Sequence, residues 1–449
     1  MSRTAAMNST ETNTPKTADP QRSALDATAW PRFRGARLSA LIFLAYAILG
    51  AWVPVFSLHL KIHGFSAEAT AWASAASALA ALIAPILWGQ VADRWLAMQR
   101  CISLCSLATC AGLWVVAELR EPWTLVFVCI AMWFFLVPTI VLSTSLIFRQ
   151  LQHPEREYGR IRMWGTLGWM AASWCLTAWF AVFGSRAGAH ATPATDFADS
   201  LRLGGLAAFV LALYALTLPH TPPAKSPLPT RAWYARLVDA PLSALNLFRN
   251  CSFVLYCVCM FGFNVTLPFT IQLDPLLLEE LQVSSKLLPA YLTIAQSTEV
   301  LFLYLLPLLL QRFGMKSVML AGGMSWTLGL GLLASVAPVW LVLASLVTRG
   351  VFICCFFIAG QVFVNRQATH DIRASAQGVL LLISGSGLLL GHLLVGWIRH
   401  VSHDRYDIAY FIASAVAGAL VVLFLTGFSP TPAPVISAQE SLVPNSEIT

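Results

Sequence analysis

The sequence predicts an all-α integral membrane protein with twelve transmembrane helices in two six-helix halves. Three observations predict it. First, 57% of the 449 residues are hydrophobic and only 11% are charged, against about a quarter charged in a soluble domain. With a mean hydropathy of +0.70, too little polar surface remains to cover a water-soluble globule. Second, the apolar residues gather into twelve runs close to the roughly 20 residues that a bilayer span needs. Third, one long, proline-rich connection splits the twelve runs into six and six.

The runs lie near residues 38–60, 69–92, 102–118, 123–148, 163–183, 203–218, 252–273, 286–310, 316–338, 339–364, 376–398 and 408–428. Each is continuously apolar, so helices fit and a barrel of alternating strands does not. The connection 219–250 holds Pro219, Pro222, Pro223, Pro227, Pro229 and Pro241 with Lys225, Arg231, Arg236 and Arg249. Two bundles joined by such a linker are the mark of a duplicated transporter architecture. The expected organisation is a tail 1–36, a first bundle 37–218, the linker 219–250, a second bundle 251–428 and a tail 429–449. Both tails are polar, without apolar period, and are expected to be disordered.

Charge sets the orientation. With the amino terminus inside, 20 of the 28 Lys and Arg residues fall in inner tails and loops and seven in outer ones. That bias places both termini and the linker in the cytoplasm of a multi-pass cell-membrane protein. The remaining cation, Arg349, falls inside a span.

The same composition excludes a soluble enzyme, a secreted scaffold and a nucleic-acid partner, because the arginines are scattered between apolar blocks. The ten cysteines lie in or beside apolar runs and show no ligand spacing with histidine, so they read as packing residues. No metal, cofactor or catalytic set is expected: neither H-E-x-x-H nor G-x-S-x-G occurs. No Walker loop is present, which excludes an ATP-driven pump. A monomeric secondary transporter that rocks around a midplane site remains.

Between the second and third runs stands Gly89-Gln90-Val91-Ala92-Asp93-Arg94, and its counterpart in the second half is Gln311-Arg312-Phe313-Gly314-Met315-Lys316. A small residue, a carboxylate and cations at helix ends can hold one conformation through charge–dipole contacts, with Gly89, Asp93 and Arg94 as the candidates. This loop resembles the signature of the major facilitator superfamily. Arg162-Met163-Trp164-Gly165-Thr166-Leu167-Gly168-Trp169, Pro138-Thr139, Leu218-Pro219-His220, Gln296-Ser297-Thr298-Glu299 and Arg373-Ala374-Ser375-Ala376-Gln377-Gly378 carry a closer likeness. Together they resemble the nucleoside:proton symporter family of that superfamily, over roughly residues 37–428. The resemblance implies a major facilitator fold, a nucleoside-like solute and a proton as partners, and a substrate site that includes the arginine, threonine and aromatic positions of the fifth run.

The residues themselves support a narrower reading. Glu299 lies near the centre of its run, where a carboxylate costs about 2.5–3.5 kcal/mol or more. It is expected to face the bundle interior or a watery cavity, as a proton-coupling group or as a structural partner of a neighbouring helix. Gln296, one step away at i−3, shares its face and can serve a polar ligand or bridge helices. Arg162, Thr166 and Trp169 form a stripe of cation, hydroxyl and aromatic ring. That stripe suits a sugar and a stacked base; an anchoring arginine with packing residues is the plainer alternative. In the seventh run the family's polar contacts fall on Leu267 and Thr270, substitutions that remove a polar base contact. His392 reads as a core histidine, and Gly385, Gly387, Gly391 and Gly396 as packing residues.

The tenth run departs from the family. It reads Arg349-Gly350-Val351-Phe352-Ile353-Cys354, with Arg349 in the place of the family's aromatic or histidine and Cys354 in the place of its acid. The expected cavity charge is then +1, from Arg162, Arg349 and Glu299. Arg349 is expected to pair with Glu299, which weakens proton coupling. The alternative is an anionic group on an altered solute, and the third reading is a snorkelling arginine. Two further functions follow from the departure: a carrier of a different, anionic solute, or a transport-impaired, sensor-like relative.

Overall fold

The computed structural model describes residues 34–151, 154–183, 193–222, 245–335, 338–367 and 373–429. The amino-terminal tail up to residue 33, the central part of the linker and the tail from residue 430 lie outside them. Among the described residues every regular element is helical. The spans are α1 Arg34–Ile62, α2 Ala67–Arg94, α3 Met98–Glu118, α4 Pro122–Gln150, α5 Glu157–Phe183, α6 Phe197–Leu216 and α7 Cys251–Glu280. A continuous stretch Leu288–Ala334 follows, then α10 Val339–Asn365, α11 Gln377–Val401 and α12 Tyr406–Gly427. The long stretch turns at Gly314, whose φ of 75° and ψ of 166° only glycine adopts readily. It is thus two spans, α8 (288–313) and α9 (315–334), and the described residues contain the twelve that the apolar runs predict.

The surface is inverted relative to a soluble protein. Phe127, Leu381 and Phe411 are each about two-thirds exposed, as lipid-facing residues are. The buried apolar side chains form two clusters. One is drawn from α1–α6 and the end of α6. The other is built on α7–α12 but also takes in Val55, Leu58, Leu176, Phe180 and Phe197. That sharing marks the seam between the halves, near the ends of α1 and α5.

In the first half α1 packs on α5 and α6, α3 on α4 and α6, and α2 on α4. In the second, α10 packs on the stretch formed by α8 and α9, and α7 packs on α11 and α12. Across the seam α2 meets α11 and the start of α8 meets α5. Close approach of α1 and α5 requires glycine at two points. A Cβ at Gly50 would collide with the Trp169 backbone, and one at Gly168 with the Phe43 carbonyl. The same string that carries the family resemblance therefore fixes Trp169 against α1.

Polar contacts across the seam sit at one end of the bundle. Lys61 at the end of α1 pairs with Glu279 at the end of α7 at 2.9 Å. Trp174 donates to the Thr293 hydroxyl at 3.0 Å. At the opposite end Asp93 pairs with Arg149 at 2.8 Å, which ties α2 to α4 inside one half. Both ion pairs are partly exposed, so each contributes at most about 1 kcal/mol.

Gly50→Leu is expected to destabilise the fold by about 3 kcal/mol, the upper end for overpacking, because the obstacle is backbone. Thermal unfolding of the purified protein in detergent checks it. A melting temperature equal to that of the unmodified protein would show that α1 and α5 do not approach this closely.

Candidate functional site

Two backbone irregularities open space between the halves. Pro54 interrupts α1 with a 3-10 turn at Val53–Val55. In α7, Pro275 has no N–H to give to the Ile271 carbonyl. Val53, Pro54, Ile271 and Pro275 wall a cavity of about 70 Å³. Trp169 of α5, Thr270 of α7, Gln296 of α8 and Arg349 of α10 reach it. Four of the seven candidate substrate residues are therefore brought together. The Gln296 Oε1 is buried without a hydrogen-bond partner, so it can accept from a bound molecule.

The other three candidates lie off that lining. Arg162 stacks over the Tyr46 ring, its guanidinium carbon 4.4 Å from the centroid, and its Nη1 is buried without a partner. Thr166 is buried on the same helix. Glu299 lies between the fields of Arg162 and Arg349, yet no ion pair reaches it among the described residues. Arg162 and Glu299 thus oppose each other across the seam, one from each half.

Arg349 does not pair with Glu299 as the sequence reading expects. Its Nη1 lies 3.8 Å from Asp274 Oδ2. Asp274 is 1% exposed, and its Oδ1 accepts a 2.8 Å hydrogen bond from the Tyr410 hydroxyl. Its Oδ2 has no hydrogen-bond partner. The expected +1 is corrected as well: with Asp274 counted, two cations face two carboxylates. Asp274 lies one residue beyond the seventh apolar run, so the run pattern does not single it out. Its place at i+4 from Thr270 was the signal that could have found it.

The tenth helix explains its own departure. A Cβ at Gly350 would collide with the Ala295 carbonyl, so α10 lies directly on α8. Four residues on, the buried Cys354 thiol donates to the Glu299 carbonyl at 3.2 Å. Where the family pattern has an acid, this chain has a weak donor that caps the backbone of α8. A π-helical turn, Ile353–Ile358, follows, and such turns are frequent at functional sites.

Across Val53 and Ile271 lies a second cavity of about 150 Å³, lined by Trp52, Phe56, Ser57, Trp133, Gln272 and His392 among others. The Gln272 side-chain amide lies 2.7 Å from His392 Nδ1, so His392 is a satisfied core residue. At the loop candidates, Asp93 is held by Arg149 and Gly89 stands in open space.

A family model described as "Nucleoside H+ symporter" matches residues 34–432. The chain belongs to the nucleoside H+ symporter family. It is a multi-pass membrane transporter and not an enzyme. Xanthosine permease of Escherichia coli (strain K12) is 28% identical over 414 residues, covering 87% of this chain and 95% of the permease. Nucleoside permease NupG of the same organism is 28% identical over 383 residues, covering 80% and 86%. A crystal structure of nucleoside transporter NupG superposes with a TM-score of 0.74 at 24% identity, covering 89% of this chain and all of that one. The D-xylose-proton symporter structure superposes with a TM-score of 0.68 at 16% identity, covering 89% and 98%. These structures share the major facilitator fold with this member of the symporter family.

Arg349→Leu leaves the Asp274 carboxylate without its cation. The expected cost is about 2–3 kcal/mol, below the 3–5 typical of a fully buried pair, because 21% of the Arg349 side chain is exposed. Arg349→Leu/Asp274→Asn should recover most of it. Strictly additive losses in a thermal-unfolding double-mutant cycle would show that the two side chains do not interact.

Proposed function

We propose that the chain carries nucleosides together with protons by alternating access, and that the 70 Å³ cavity is where the solute binds. The observation that carries this reading is the meeting of Trp169, Thr270, Gln296 and Arg349 at the broken part of α1, between the halves. An aromatic face stacks a base, a hydroxyl and an amide serve sugar or base edges, and a guanidinium offers donors to carbonyl oxygens. Arg162, Thr166 and Glu299 complete the site on the solute's other side, and Glu299 carries a proton. Residues 37–218 and 251–428 are the two bodies that rock, with 219–250 as their linker. One chain holds the whole cavity, so a monomer suffices.

The charge bias supports cytoplasmic termini. On that orientation the end tied by Lys61–Glu279 and Trp174–Thr293 is the outer one. The conformation is then closed outward, with Gly89, Asp93 and Arg94 at the inner end where the halves part. Fusion of a fluorescent reporter to either terminus tests the orientation: fluorescence is expected from cytoplasmic termini and absent from exported ones.

Radiolabelled uridine uptake into proteoliposomes under an inward proton gradient tests the function. Accumulation that collapses with the gradient, and that Glu299→Gln abolishes, is the expected result. Uptake indifferent to the gradient would leave a facilitator, and none at all would favour the sensor-like reading. Arg349 also makes a graded prediction. A charge-assisted hydrogen bond contributes about 1.5–3 kcal/mol, so bases that offer carbonyl oxygens, as in uridine and xanthosine, should compete about tenfold better than adenosine. Equal competition by all three would remove Arg349 from base contact.

A further inference from the structure

Asp274 is the one candidate-site carboxylate that the family pattern does not account for. It belongs to α7, one helical turn beyond Thr270, is 1% exposed and borders a small cavity. The groups that face it are few. From α10 comes Arg349, whose Nη1 is 3.8 Å from Oδ2, too far for a hydrogen bond. From α12 comes Tyr410, which donates to Oδ1 and is neighboured by Tyr406. On α11, His392 is engaged with Gln272 and lines the other cavity, not the one beside Asp274.

The carboxylate is therefore half satisfied. Oδ1 has a donor, and Oδ2 has an attraction but no bond. The nearby cation is what favours the charged form of a carboxylate in such a place. Arg349 in turn is shared. It lines the 70 Å³ cavity with Trp169 and Gln296, and it lines a smaller one with Asp274 and Thr348. A guanidinium pulled toward a solute in the first cavity moves away from Asp274 in the second.

We propose that Asp274 is a second proton-carrying residue of this transporter, exchanging its hold on Arg349 for a proton when the solute takes the guanidinium. This rests on the proton-coupled nucleoside reading above and names the residue that supplies the acid missing at Cys354. The exchange balances simply. A water-borne proton bonds to Oδ2, the carboxylate becomes a neutral carboxyl, and the cation transfers its attraction to an acceptor oxygen of the solute. When the solute leaves, Arg349 returns and Oδ2 gives the proton back to water. Solute and proton then bind together by linkage, since each favours the state that the other needs.

Wild type, Asp274→Asn, Asp274→Glu and Glu299→Gln in proteoliposomes test the assignment. Two rates are read: gradient-driven uridine accumulation, and exchange of internal for external uridine at equal pH. Asp274→Asn should lose at least about tenfold more accumulation than exchange, and Asp274→Glu should restore part of the gradient dependence. Accumulation at wild-type level in Asp274→Asn would overturn the proposal. Equal loss of both rates would also overturn it, since a purely structural partner of Arg349 behaves that way. A substrate-free arm separates this idea from the nucleoside reading. On acidification, infrared difference spectra of the detergent-solubilised protein should show a protonated-carboxyl band in wild type that Asp274→Asn lacks and Asp274→Glu shifts. Absence of that band overturns the assignment even where uridine is transported. Its presence with no uridine transport leaves the titrating carboxyl in place and overturns only the solute.

Discussion

Charge buried among apolar helices must be balanced within a few ångströms, and the interior of this protein is organised around that requirement. A lone carboxylate or guanidinium at bilayer depth is costly enough to be rare. Here Arg349 stands against Asp274, while Arg162 and Glu299 oppose each other more distantly. Neither pair is a tight, fully hydrogen-bonded bridge. Arg162 Nη1, Asp274 Oδ2 and Gln296 Oε1 are all left buried and unpartnered. A protein built only for stability would close such gaps or replace the groups with packed hydrocarbon. Gln296 lines the 70 Å³ cavity and Arg349 joins Asp274 to it, which fits a site whose remaining bonds are completed by a passing solute.

The backbone keeps those groups in register. Glycine brings helices into contact where the charged residues depart from them: Gly350 sets α10 on α8 beside Glu299, and Gly168 sets α5 on α1 beside Trp169. Proline does the converse, since Pro54 and Pro275 interrupt regular bonding at the cavity wall. Rigid contact and deliberate irregularity thus alternate along the same helices. The cavity forms where both meet.

Most of the fold was legible in the sequence because bilayer length and backbone satisfaction leave few options. Among the described residues the twelve apolar runs became twelve spans, and Gly314, which joins α8 to α9, sits at the connection that the sequence pattern already marked. The candidate residues were legible as far as helical spacing reaches. Trp169, Thr270, Gln296 and Arg349 do converge. Partner choice was not legible, because it depends on how helices distant in sequence are rotated. Arg349 was assigned to Glu299 on α8, the carboxylate known within a run, whereas α7 presents Asp274 to it. The tenth-run departure looked like loss, yet Cys354 bonds the α8 backbone at Glu299, a contact that no linear pattern announces.

The two charge pairs differ in a way that bears on mechanism. Arg349, Asp274 and Tyr410 all belong to the second half, so the proposed rocking of the halves would carry them as one body. Arg162 and Glu299 belong to different halves, so the same motion changes their separation. The first pair can respond to solute in either conformation, because nothing in the rocking itself disturbs it. The second responds to the conformation, because its Coulomb energy varies with the distance between the halves. A transporter that couples two cargoes needs both kinds of element: one that senses occupancy and one that senses which side is open. With the acid absent from position 354, the role proposed for Asp274 would let the second half perform the first task alone and leave Glu299 free to perform the second.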